Sequence, residues 1–322
     1  MPPTFPSQFS LRQSPSSPLE YESLHTPLKM GNSADIAYGG CTLAFAVNGA
    51  YQTIPETYHL YSMLGHFLGP TLTDRKVICT VREIRTTRTF ATRQVEVSQR
   101  MQDGSRRPTL VCLVDFQVRE KALLTYSKPP GGKYAGVDQA PSLEEARQAL
   151  VDSGVVPKEM ANVHAVLFGL LHRYFDQKAP PEGVMAQNMT GIAKHLPTTQ
   201  DDLPLTSKTS ADWFRAKDKL ETEVQHLSAL AFVMDAALSF LPLAHNHQFL
   251  DDAVACSSLD FALRVLGSEV DLNRWHFREL GTVAGGEGRT YSEARVWDER
   301  GKMVASMTQQ GILRPKVVKA VL

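Results

Sequence analysis

The sequence predicts an α+β fold made of two similar halves, each with a central apolar helix followed by an antiparallel sheet able to wrap it. Three observations lead there. Leu43-Ala44-Phe45, with Asn48, Ala50 and Pro55 behind it, returns as Leu230-Ala231-Phe232 with Asp235, Ala237 and Pro242 at the same spacing. Arg88-Thr89-Phe90 with Val95 returns as Arg289-Thr290-Tyr291 with Val296, in the same order along the chain. After each apolar helix come runs rich in Val, Ile, Thr and aromatic residues, broken by turn signals. Two copies are too few for a solenoid or propeller.

The elements follow in order. Residues 1–18 are rich in Pro and Ser and read as a flexible leader; they lack the apolar stretch of a signal peptide. Gly39-Gly40 opens the first helix, which runs through Tyr51 with Ala44, Val47, Ala50 and Tyr51 at helical spacing and stops near Pro55. Strands are expected at residues 58–68, 76–84, 89–99 and 109–119, with Asp103-Gly104 as a hairpin turn. Pro129-Pro130-Gly131-Gly132 breaks the pattern, and Ser142-Leu143-Glu144-Glu145 is the capping signature of a short helix to Val151. Residues 163–174 read as the first strand of the second half and residues 177–210 as a long loop. The second central helix is expected from Thr222 to Leu241, with strands at 253–265, 275–283, 289–298 and 303–313 and a last turn at Arg300-Gly301. The glycines of Gly285-Gly286-Glu287-Gly288 lie between two strands, so they read as a hairpin turn and not a nucleotide loop.

Composition excludes several classes. Lys+Arg and Asp+Glu number 34 each in the 322 residues, so no net field favours nucleic acid or an acidic membrane. Hydrophobic residues make up 43%, enough for a core. Cys41, Cys79, Cys112 and Cys256 are far apart with no CxxC spacing, which argues against zinc and for buried free thiols. The most apolar stretch, residues 227–244, is short and interrupted by Asp235, so it reads as a core helix and not a membrane span. His245 and His247 lack companion ligands and read as a surface loop, and Lys316 and Lys319 as solvated charges. The C-terminus ends Lys319-Ala320-Val321-Leu322, not Ser-Lys-Leu; a cytoplasmic location is expected over a peroxisomal one.

Comparing the halves singles out one of them. Asp235 stands where the first half has Asn48, Ser258 where anchoring on Gly69 and Gly267 gives Leu60, and Gln309 where the last strand gives Phe116. An ionisable group in an apolar helix costs stability unless paired or used. A carboxylate, hydroxyl and amide together can hold and deprotonate a water without a covalent intermediate. The alternative is structural: Asp235 capping a strand or pairing with an arginine such as Arg289.

The chain also resembles the acyl-CoA thioesterase II family, the double-hotdog thioesterases, from about Gly39 to Arg314. The resemblance rests on Gly39-Gly40; on Ser62, Phe67-Leu68 and Pro70; on Arg85 to Phe90; on Asp115-Phe116-Gln117; on Ser258-Leu259-Asp260; and on Val304-Ala305-Ser306 through Gln309, Gly311 and Arg314. It implies a double-hotdog fold with an N-terminal unit over 19–128, a linker over 129–160, a C-terminal unit over 161–315 and a tail over 316–322. It implies a triad of Asp235, Ser258 and Gln309, the residues that the comparison of halves selects. It implies hydrolysis of an acyl thioester, with coenzyme A as part of the substrate and no separate cofactor or metal, and leaves self-association open. Phe261 replaces the family's histidine after Asp260, Thr86-Thr87 replace Asp-Gly, and Gln310 replaces a glutamate. These changes point to a specialised fatty or polyketide acyl group. The alternative is a non-hydrolytic relative, such as an acyl binder, cyclase or dehydratase.

Overall fold

The computed structural model describes residues 2–31, 34–267 and 269–316; Lys319 and the rest of residues 317–322 lie outside them. The chain begins with α1 (Phe5–Gln8), β1 (Leu11–Ser14) and β2 (Ser17–Ser23), then the central helix α2 (Gly39–Tyr51) and strands β3 (Tyr58–Phe67), β4 (Ile78–Thr86), β5 (Phe90–Arg100) and β6 (Arg106–Val118). Three helices follow: α3 (Leu143–Asp152), α4 (Lys158–Leu167) and α5 (Gly169–Tyr174). The second half holds β7 (Phe175–Lys178), α6 (Val184–Gln187), β8 (Thr209–Ala216), the central helix α7 (Glu223–Met234), α8 (Leu241–His245) and strands β9 (Ala253–Val265), β10 (His276–Gly286), β11 (Arg289–Asp298) and β12 (Met303–Pro315).

These strands form a 12-stranded sheet in the order β1-β2-β4-β5-β6-β3-β9-β12-β11-β10-β8-β7. The order reads the same from either end once each strand is replaced by its counterpart, so the sheet is two six-stranded halves. They join through β3 and β9, which pair antiparallel from Ser62↔Arg264 to His66↔Asp260. The helices α2 and α7 pack on one another, and their residues enter a single core cluster with both halves of the sheet. Every residue of α2 from Gly40 to Val47 is buried, as are Leu227 to Met234 of α7. That is why neither helix shows a polar stripe. Among the described residues no helix is long and apolar enough to cross a membrane.

The sheet shows that, of the stretch 1–18 expected to be a flexible leader, the described residues 2–18 are not one. The hairpin β1–β2 is the counterpart of β7–β8: β2 pairs with β4 as β8 pairs with β10. Phe5 and Phe9 are 2% and 1% exposed. Their rings lie 5.5 and 5.4 Å from that of Phe232 on α7. The backbone N–H of Phe5 donates to Asp218 at 2.7 Å. Proline and serine dominate the composition, but two phenylalanines one helical turn apart decide the structure.

Three other expectations change. Residues 163–174 are helical: Ala161, His164, Phe168 and Leu171 are buried at spacings of three and four, a helical period. The second half therefore starts at β7, after the helices, and not at residue 161. Strands β7 and β8 lie at the two ends of the stretch read as a loop. The second central helix stops at Met234. A helix running on through Pro242 would crowd the ring against the carbonyl one turn back; instead the chain restarts at Leu241, with Pro242 in the first turn of α8 where its missing N–H is harmless. Ala237 in the break has φ +77°, a left-handed conformation costly for a residue with a Cβ. His245 is fully buried, its Nε2 2.9 Å from Ser210 Oγ, and is not a surface-loop residue.

The ladders also correct the alignment of the halves. Extra residues bulge at Tyr61, Ile84 and Thr109 in the first half and at Leu259, Val283 and Val304 in the second. Superposing these bulges keeps Ser258 opposite Leu60 but places Gln309 opposite Val114, not Phe116. It also shifts the Arg-Thr-Phe and Arg-Thr-Tyr match by two residues. A slip of two preserves the in–out alternation of a strand, so the sequence pattern is blind to it. The contrast survives, since Val114 and Phe116 are both fully buried and apolar.

The four cysteines are free, three of them buried. Burial pushes the thiols of Cys41 and Cys79 up to about 12, so they stay protonated.

Replacing Phe5 with Ala empties a site between α5, β7 and α7. We expect a loss of about 3–5 kcal/mol in denaturant unfolding; a flexible leader would show no change.

Candidate active site

Asp235 caps the C-terminus of α7 with helical dihedrals (φ −69°), and the helix break follows at once. The break turns the side chain toward the first turn of α2, where the backbone N–H of Gly40 favours the charged carboxylate. The two opening glycines explain themselves here. A Cβ on Gly39 would stand 2.7 Å from Asp235 Oδ2, and one on Gly40 would stand 2.5 Å from the carbonyl oxygen of Phe232. Neither contact is tolerable, so α2 approaches the end of α7 only with glycine at both positions. The Tyr38 hydroxyl donates to Phe232 O at 2.7 Å and ties the same approach from the N-cap.

Gln309 on β12 and Ser258 on β9 complete a chain of hydrogen bonds. The Gln309 Nε2 donates to Asp235 Oδ1 at 2.5 Å. The Ser258 hydroxyl donates to Gln309 Oε1 at 3.1 Å. Gln309 is 1% exposed and Asp235 6%, whereas Ser258 is half-buried. The amide thus sits behind the other two and fixes both; Asp235 and Ser258 face a cleft of about 890 Å³ that Gly39, Phe67 and Leu259 also line. All three sequence-selected residues meet. Arg289, the alternative partner for Asp235, pairs instead with Glu287 in the β10–β11 turn.

Burial raises the carboxyl of Asp235 to about 6, opposed by the hydrogen bonds from Gln309 and Gly40. The positive end of the α2 dipole acts in the same direction as those bonds. The result is a carboxylate that is ionised near neutrality yet basic enough to take a proton. Asp260 accepts from the Gln310 N–H at 3.3 Å, and Phe261 packs its ring 5.6 Å from that of Phe67. The position where the sequence has Phe in place of His therefore lies in the core and backs Phe67, which lines the cleft. Among the described residues no group of three or more His, Cys, Asp or Glu is gathered for a metal.

The corresponding place in the first half is closed. Asn48 donates to the carbonyl of Phe9 at 2.9 Å, and Leu60 and Val114 are buried and apolar. Sequence comparison found the polar triad but missed the roles of Gly39, Gly40 and the break at Ala237. The first two had a signal, an adjacent glycine pair opening a helix; the break had only Pro242.

Two central helices packed back to back inside a two-lobed antiparallel sheet, with one polar triad, define a double-hotdog protein. The sequence matches the acyl-CoA thioesterase N-terminal domain over residues 26–117 and the acyl-CoA thioesterase C-terminal domain over residues 174–313. The chain belongs to the acyl-CoA thioesterase family. In fold it is similar to acyl-CoA thioesterase II TesB2 from Mycobacterium marinum (18% identity, 98% of this chain and 99% of that one, TM-score 0.67). It is also similar to a tesB protein of Mycobacterium avium subs paratuberculosis (16%, 97% and 98%, TM-score 0.67) and to a hot dog fold protein of Alicyclobacillus acidocaldarius (14%, 97% and 98%, TM-score 0.67).

Asp235 binds more protons folded than unfolded between its ordinary value of 3.8 and about 6, so its contribution to stability falls as pH rises through that window and stays low above it. An Asp235→Asn protein should therefore gain stability over the native chain at pH 8 by about 1–3 kcal/mol, and lose that gain near pH 4. Paired urea melts at both pH values read this directly. A pH-independent difference would mean that the carboxyl titrates normally.

Proposed function

We propose that the chain is a thioester hydrolase that cleaves an acyl-CoA by direct attack of a water held at Asp235. The observation that carries this is the Ser258–Gln309–Asp235 hydrogen-bond chain opening on the cleft. Ser258 spends its proton on Gln309, so its lone pairs are free to accept from a water in the cleft. Asp235 takes the second proton of that water as its oxygen forms a bond to the acyl carbon. The carbon–sulfur bond then breaks, the acid is released and the thiolate leaves to be protonated. Gln309 contacts both partners and holds them in register; it is a positioning residue.

Ser258 does not act as an acylated nucleophile in this scheme. A seryl enzyme needs a base against its hydroxyl. Here the hydroxyl's hydrogen-bond partner is an amide oxygen, which is no base. Coenzyme A is the expected carrier from the family, and the cytoplasm the expected location.

Asp235→Asn should lower kcat by about two to four orders of magnitude, and the native pH–rate profile should rise through about pH 6 as the base ionises. Ser258→Thr should keep substantial activity, Ser258→Ala and Gln309→Ala should each lose part of it, and no acyl adduct should appear on the quenched protein by mass spectrometry. Asn48→Ala should cost far less turnover than Asp235→Asn. Near-native turnover of folded Asp235→Asn, measured by thiol release from a panel of acyl-CoA lengths, would end this assignment.

A further inference from the structure

Behind the cleft lies a second, smaller cavity of about 80 Å³. Met30, Phe168, Ala237 and Phe240 line both. The helix break after Asp235 therefore forms part of the wall between them, and the rings of Phe168 and Phe240, 5.9 Å apart, stand at the boundary. The inner cavity is about half the ~150 Å³ of an apolar cavity that admits a benzene ring, which suits the last few atoms of a chain and not a whole acyl group.

Its lining is mostly apolar, with Leu171, Met185 and Leu280, but it carries polar groups that the protein leaves unpaired. Gln177 on β7 is 7% exposed and donates its amide N–H to Asp212 at 3.1 Å. Asp212 is a carboxylate held by Arg278 at 2.9 and 2.7 Å, so it can only accept. That fixes the amide orientation and leaves Gln177 Oε1 as a buried acceptor with no hydrogen bond. His164 on α4, 4% exposed, faces Thr190 through Nε2 at 3.0 Å and leaves Nδ1 buried without a partner. A buried group left unsatisfied costs about 1–3 kcal/mol, a penalty that a complementary ligand removes.

We propose that the distal end of the substrate's acyl group passes Phe168 and Phe240 into this cavity, and that Gln177 and His164 select chains bearing a hydroxyl there. The inference rests on the thioester reading of the cleft. Gln177 Oε1 demands a donor, which an alkyl, keto or ester end cannot supply and a hydroxyl can. The imidazole offers one N–H or one lone pair, and a hydroxyl answers either. Burial, with Arg147 and His172 nearby, lowers His164 to about 3, so it is neutral and meets a hydroxyl as a hydrogen-bond partner and not as a charge, and Arg278 is already matched by Asp212. His164, Phe168, Leu171 and Gln177 come from the stretch α4 to β7 and much of the remaining wall from β8, β10 and the break after α7; none is a triad residue, so the choice of chain is made outside the catalytic triad.

The test uses the full-length protein and matched pairs of acyl-CoA thioesters of increasing length, one unsubstituted and one hydroxylated at the penultimate carbon, with keto and carboxyl ends as further arms. At the length that reaches the cavity the hydroxylated member should have a kcat/KM higher by roughly tenfold or more. Gln177→Met and, separately, His164→Phe should bring that ratio toward one. Equal kcat/KM for both members at every length, or a ratio unmoved by both variants, overturns the proposal and leaves a cavity that holds water only. If neither member is hydrolysed, calorimetry with the thioether analogues of the same pairs decides. Tenfold tighter binding of the hydroxylated analogue keeps the cavity's role and removes the hydrolase reading; equal binding removes the cavity's role.

Discussion

The molecule is organised around the approach of the Asp235 carboxylate to the first turn of α2. It requires glycine at both positions 39 and 40, because a Cβ at either would strike the carboxylate or the last turn of α7. It requires α7 to end at Asp235, which the left-handed Ala237 enforces at some cost in backbone energy. It also needs β9 and β12 in one register, since Gln309 must reach both Ser258 and Asp235. The bulge at Leu259 sits next to Ser258 and helps to set where that side chain faces.

The two halves share this frame and use it differently. In the second half the frame holds a carboxylate whose proton affinity burial has raised. In the first half the same place is filled: Asn48 is occupied by the Phe9 carbonyl, and Phe9 itself is locked among aromatic rings. The N-terminal segment thus closes one site through Phe9 and completes the sheet through its hairpin. At the far end of the helix pair, Tyr51 and His59 both meet Glu223 and tie the halves together with polar contacts. Packing fills this place in the first half, beside the apolar Leu60 and Val114 that stand where the second half has Ser258 and Gln309.

Much of this was legible in the sequence, and the parts that were not have physical reasons. The strands of both cores, the first helix and the capping box at Ser142 follow from local periodicity and turn chemistry, which act over a few residues. The triad was legible because the chain carries its own control, a second copy with Asn48 and two apolar residues in those places. The N-terminal segment was misread because composition is an average, whereas Phe5 and Phe9 each contribute through one buried contact. Residues 163–174 were misread because a short apolar run fits helix and strand alike; only the buried positions decide. The two-residue slip in aligning β12 was invisible because a strand repeats every two residues. The inner cavity could not have been read at all, since His164, Gln177 and Asp212 are far apart in sequence and come to one cavity only through the fold.

The central claim is that Asp235 passes a proton and never a bond to carbon. A single turnover in H₂¹⁸O, with enzyme in excess over an acyl-CoA, separates the two. Direct attack puts one ¹⁸O into the released acid and leaves the peptide containing Asp235 unlabelled. Appearance of ¹⁸O in the Asp235 carboxyl, which requires an acyl-aspartyl anhydride opened by water at the aspartyl carbon, would contradict the account.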